Sequence, residues 1–166
     1  MVFDSSTLIL ISKIELLDLF LDNVRVEVAI PKAVHEECCG GLRTLDSLMI
    51  EKAVDESRIS VKTVKNKKLV EKLQADFTMG RGESEAIALA IQENALLVGI
   101  DDKRGISACK LAGIPFTTAI GILLRSREKE LIGLEDSVIR LSSLGRKGRY
   151  KNSILEDAKR RLEGKL

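Results

Sequence analysis

Apolar and polar positions fall in blocks whose period switches repeatedly between that of a strand and that of a helix. Val2-Phe3 reads as a short strand, Asp4 to Thr7 as a capping segment, and Leu8 to Leu21 as an amphipathic helix carrying Ile9, Leu16, Leu17 and Phe20. Val24, Val26, Val28 and Ile30 alternate with Arg25 and Glu27, which predicts a strand over 24–30. Pro31 then ends that strand and suits the first turn of a helix through Ala33, Val34, Glu37 and Cys38, stopped by Gly40-Gly41.

The alternation continues. Leu42 to Glu56 has helical spacing, Ile59 to Val64 is β-branched, and Asn66 to Phe77 is helical again. After Gly80-Arg81-Gly82 the spacing predicts a helix over 83–94 with Ala86, Ile87, Ala90 and Ile91 on its apolar face. Ala95 to Ile100 is a continuous apolar run, the pattern of a parallel strand covered on both faces, and it ends at Asp101-Asp102. A helix through Ala108 and Leu111, a Gly113 break and a short strand over 115–118 follow. Beyond Ile120 the pattern is helical only, with breaks at Gly133 and at 145–148 and Asn152 as a cap. Alternating strands and helices predict a three-layer α/β/α domain with a mainly parallel sheet. The core is expected over about 1–125, with a helical extension over about 126–166.

Composition narrows the class. A chain of 166 residues with 45% hydrophobic and 31% charged residues fits one globular domain. Its longest apolar run is far short of a membrane span, and Asp4 interrupts any signal-peptide pattern, so a cytoplasmic location is expected. Three cysteines, two of them adjacent, make no disulfide framework. With His35 the only histidine, most zinc sites and histidine-based triads drop out. Chemistry must rest on carboxylates. The net charge is +2, but residues 125–166 hold 12 Lys and Arg against 7 Asp and Glu. A basic C-terminal part on a slightly acidic body hints at a polyanionic partner such as nucleic acid.

In an open parallel sheet, ligands sit beyond the carboxyl ends of the strands. Asp4 follows the first strand, Asp101-Asp102 the penultimate one, Glu36-Glu37 lies one helical turn past the second, and Glu83 opens a helix. Each has a plain alternative: Asp4 and Asp101-Asp102 can cap helices, and Glu83 and Glu85 suit a helix N-terminus. Converging, they would need protons or cations, because like charges about 4 Å apart repel by roughly 4 kcal/mol at an effective dielectric near 20. An all-oxygen donor set suits Mg²⁺ or Mn²⁺, which serve phosphodiester hydrolysis through activated water. Gly80-Arg81-Gly82 lacks the Gly-Lys-Ser/Thr ending of a phosphate-binding loop. A haloacid-dehalogenase phosphatase would want an Asp where Ser6 stands, and a receiver domain would want an early acid pair.

The segments Val2 to Ile9, Ile30 to Glu37, Gly82 to Ala90, Ile100 to Arg104 and Gly121 to Leu124, in that order, resemble PIN-domain proteins, most closely the DUF3368 group of nucleases. The resemblance spans nearly the whole chain. It implies catalytic and metal-binding roles for Asp4, Glu37, Glu83 and Asp101, with Asp102 as a further ligand, Ser6 in support, and Glu36 and Glu85 as alternatives to their neighbours. It further implies a Mg²⁺- or Mn²⁺-dependent ribonuclease, a VapC-like toxin with an antitoxin partner, and a homodimer. Gly99 and Ile100 stand where many members carry Ser or Thr, and Ala119 where a Thr is common. Arg81, Lys103 and Arg104, and the basic group Arg146, Lys147, Arg149 and Lys151, are the expected RNA contacts. The competing expectation is a PIN fold that binds RNA or protein without cutting. With five aromatic residues in the chain, backbone electrostatics rather than base stacking would dominate its affinity.

Overall fold

Val2 and Phe3 form β1, and their side chains point to opposite faces of the sheet, each into a different core cluster. That alternation sets the three layers. The computed structural model describes residues 1–164; the last two residues of the expected extension lie outside them. Five parallel strands are ordered β3-β2-β1-β4-β5, with β2 at Ala29–Pro31, β3 at Ser60–Lys62, β4 at Val98–Gly99 and β5 at Phe116–Thr117. Val2 pairs with Ala29 on one side and with Val98 on the other, so β1 and β4 end side by side in the sheet.

One face of the sheet is covered by α5 (Lys67–Phe77), α6 (Arg81–Gln92) and α7 (Lys103–Ala112). Residues 84–90 of α6 are all buried, as expected of a helix enclosed on every side rather than on one stripe. The other face carries α1 (Ser5–Lys13), α2 (Leu17–Asn23), α3 (Lys32–Cys39), α4 (Leu45–Asp55) and α8 (Ala119–Glu128). The last two helices, α9 (Leu134–Lys147) and α10 (Asn152–Leu162), pack on α8. Their Leu141, Leu144, Ala158 and Leu162 join the cluster that contains Phe3, Leu8 and Ile11.

Several sequence expectations shift. The helix expected over 8–21 is two helices, α1 and α2, because the chain turns at Glu15, whose φ is 55°, burying Ile14 and Leu16 as it does so. Of the strand expected over 24–30 only Ala29 and Ile30 pair, with Pro31 completing β2, and Val26 is left exposed. Pro31 closes β2 and stands at the N-cap of α3 rather than inside its first turn. The run 95–100 is not a strand throughout: Ala95 N–H donates to Ala90 O as α6 ends, Asn94 has a φ of 48°, and Leu96 is 65% exposed. Ile91 and Leu111, placed on apolar faces by periodicity, also point outward. Helix α9 runs through Gly145, where Leu155 of α10 packs close, and Lys151 rather than Asn152 occupies the N-cap of α10. Among the described residues no helix is long and apolar enough to cross a membrane.

Candidate active site

The two-residue β1 delivers Asp4 to the carboxyl end of the sheet with no exposed surface. The capping reading of this residue holds: Asp4 is the N-cap of α1, accepting from Thr7 N at 2.8 Å on Oδ1, while Ser6 Oγ donates to Oδ2 at 2.6 Å. Burial pushes its carboxyl up to about 7, against those hydrogen bonds and with the Asp101 charge adding to the rise. A carboxylate so held is poised to lose or gain a proton near neutrality.

Asp101 lies two residues beyond β4, and the strands are tied at this end by Asp4 N–H donating to Gly99 O at 2.9 Å. Its Oδ2 accepts the Ala119 amide at 2.8 Å and its Oδ1 accepts the phenol of Tyr150. Burial raises its pKa, with the Tyr150 and Ala119 hydrogen bonds opposing. The Thr7 hydroxyl lies near both acids and helps to lower the pKa of each, although its buried Oγ1 sits outside strict hydrogen-bonding geometry.

The remaining acids are held apart by protein donors. Glu37, exposed on α3, accepts Ser5 Oγ at 2.5 Å and the Gly82 amide at 3.1 Å. Glu83 is the third residue of α6 and reaches back to Gly80 N–H at 3.2 Å, as an acid at that helix position does. Burial raises its pKa, and the Asp102 and Glu37 charges add to the rise. Asp102 caps α7 through Arg104 N–H at 2.7 Å. Glu85 is buried against Arg81 Nε at 3.0 Å with Lys67 at 3.8 Å, whereas Glu36 stays exposed with Arg81 at 3.5 Å. Of the expected cationic contacts, Arg81 is engaged by those two acids and Arg104 donates to Thr78 O at 2.6 Å.

A cleft of about 590 Å³ opens from Asp101, Asp102, Glu83 and Ser6 toward the α9–α10 connection. Its floor includes Ile9, Ile106 and Ile120; its rim includes Lys103, Lys147, Arg149 and Lys151, while Arg146 is not part of the lining. Its lining holds the acids Glu83, Asp101, Asp102 and Asp157 among a larger number of lysines and arginines, a mixture that suits a polyanion.

An Asp at the end of β1, an Asp beyond the adjacent β4, and Glu residues from two helices on opposite faces form one arrangement, and the PIN-domain profile of the DUF3368 group matches residues 1–163. The chain belongs to the PIN-domain family. No curated protein and no solved structure matches it significantly. PIN domains have a nuclease-like fold and typically use divalent metals. In this PIN domain, among the described residues, no three His, Cys, Asp or Glu side chains stand close enough together to hold one ion. Asp4 and Asp101, at the ends of the paired strands β1 and β4 with the Thr7 hydroxyl near both, nevertheless suit a hard cation, since Mg²⁺ habitually binds through one or two carboxylates and completes its shell with water and phosphate.

Three contributors to this PIN domain's site escaped sequence reasoning: Ser5, the Ala119 amide and Tyr150, whereas Ser6 and Thr7 were expected to supply a hydroxyl near Asp4. Ser5 adjoins a recognised acid and reads as a capping residue. Ala119 acts through its backbone, which no side-chain pattern reveals. Tyr150 comes from 49 residues along the chain, inside a segment that reads as a basic break.

Proposed function

We propose that this PIN domain is a Mg²⁺- or Mn²⁺-dependent ribonuclease that hydrolyses RNA phosphodiesters in the cleft beside Asp101. The observation that carries it is Asp4, fully buried at the end of β1, its carboxyl raised by burial and by the charge of the half-buried Asp101. Asp4 and Asp101 would hold the cation, with Asp102 as a further ligand at the mouth of the cleft. When bound, the cation supplies charge neutralisation at the phosphate and polarisation of water. Glu37 and Glu83 lie on the flanking helices, where a carboxylate can orient or deprotonate the attacking water. Ser6 holds Asp4 in the rotamer that also caps α1. Lys103, exposed at the cleft, is free to meet backbone phosphate; Arg81 and Arg104 would have to leave their present partners to do so. Family membership supports extending the reading to a cytoplasmic homodimer, and to a toxin whose partner is a protein antitoxin.

A second reading, a PIN fold that binds RNA or protein without cutting, is favoured by one observation: among the described residues the acids do not close into a group of three. Cleavage of single-stranded RNA with Mn²⁺ or Mg²⁺, compared between the parent and Asp4→Asn, separates the two. Metal-dependent cleavage lost in the variant supports the nuclease. RNA binding without cleavage, unaffected by the variant, supports the binding module.

A further inference from the structure

The α9–α10 connection crosses the carboxyl end of the sheet, where Gly148, Arg149, Tyr150 and Lys151 line the same cleft as Asp101, Asp102 and Glu83. Tyr150 donates to Oδ1 of Asp101 while the Ala119 amide donates to Oδ2. Each carboxylate oxygen has two lone pairs, so this pair of donors fixes the plane of the group and leaves one lone pair on each oxygen for another partner. The ring has a built seat. It packs against the core cluster of α1, α8 and α9, and a Cβ on Gly148 would lie 2.8 Å from Tyr150 Cδ2. The phenol therefore reaches the sheet end only because the last two helices are docked on α8 and Gly148 makes room.

We propose that Tyr150 is a positioning residue for Asp101, setting the plane of that carboxylate for a divalent cation shared with Asp4 and so linking the seating of α9 and α10 to cation affinity. The inference rests on the reading of Asp4 and Asp101 as cation ligands. It assigns the C-terminal helices a part in the site through a single hydrogen bond. Outer partners of metal ligands typically change metal affinity by about 10–100-fold when removed.

The chain has one tyrosine and no tryptophan, so its ultraviolet emission reports on Tyr150 alone. A phenol donating to a carboxylate is quenched by it, and metal-free Asp101→Asn is expected to emit more brightly than the parent. Calorimetric titration of the full chain with Mn²⁺ is expected to show affinity at least about tenfold weaker in Tyr150→Phe, with the melting temperature in chelator close to the parent's. Gly148→Ala, which keeps the phenol but crowds its ring, is expected to do the same, and it decides the matter if Tyr150→Phe fails to fold. A folded Tyr150→Phe that binds Mn²⁺ as the parent does, or unchanged emission in Asp101→Asn, overturns the role of Tyr150 and leaves the cation site standing. A parent that binds no Mn²⁺ up to millimolar concentration overturns the ribonuclease reading and this inference with it.

Discussion

Gly82 and Glu37, on helices packed against each other, meet so closely that the Gly82 amide donates to Glu37 Oε1 at 3.1 Å and no side chain fits between them. A Cβ on Gly82 would lie 2.6 Å from Oε1 and 2.7 Å from the carboxyl carbon of Glu37. The glycine in the first turn of α6 thus serves the position of an acid on α3. Gly82→Ala is expected to displace the Glu37 carboxylate and its bond to Ser5, while alanine favours the helix by up to about 1 kcal/mol. RNA cleavage should fall at least about tenfold with the melting temperature unchanged or raised; an equally active variant would remove Glu37 from the site.

Asp4 gives the protein a defined pH dependence. Its usual pKa of 3.8 rises to about 7 on folding, first because of burial, so between those values the folded chain binds more protons than the unfolded one. Stability then falls as pH rises from about 4 to about 7 and is flat above, a loss of order 4 kcal/mol from this group alone. Asp4→Asn keeps a side-chain oxygen that accepts from the Thr7 N–H at the N-cap and lacks the ionisation. In chelator it should match the parent near pH 4 and exceed it at pH 8, which denaturant unfolding at the two pH values would measure.

Glu83 and Glu85 separate by their partners. Glu83 lines the cleft with Asp101 and Asp102, whereas Glu85 is 3% exposed and neutralised by Arg81 and Lys67. Glu83→Gln is expected to abolish cleavage with little change in stability. Glu85→Gln is expected to lower stability and to keep cleavage, since it removes the buried charge that Arg81 and Lys67 meet. Activity assays and unfolding curves on the two variants would show a reversed pattern if the roles were exchanged.

Gly99 stands two residues before Asp101, at a position too crowded for a hydroxyl-bearing side chain. Phe3, next to it on β1, lies against the backbone so that an added Cβ would meet its ring at 2.5 Å from Cε1. Gly99→Ser is therefore expected to destabilise the fold by about 1–3 kcal/mol by overpacking rather than to raise activity. Chemical denaturation checks the first half of this expectation and an RNA cleavage assay the second.

The sequence by itself determined the layered class, the order of strands and helices, and which acids stand at strand ends. These follow from local periodicity and from residues adjacent to Val2-Phe3 and Val98-Gly99, where a strand's end fixes a side chain's position. Boundaries were less legible. The turn at Glu15 and the exposed Leu96 lie inside apolar runs, and no periodicity marks either. Only the tertiary structure shows Glu83 lining the cleft while Glu85 is buried against Lys67 and Arg81 where α5 packs on α6. It alone brought Tyr150 and the Ala119 amide to Asp101. Those bonds join residues 49 and 18 positions apart, and such pairing depends on how helices dock across the sheet rather than on any pattern within a helix.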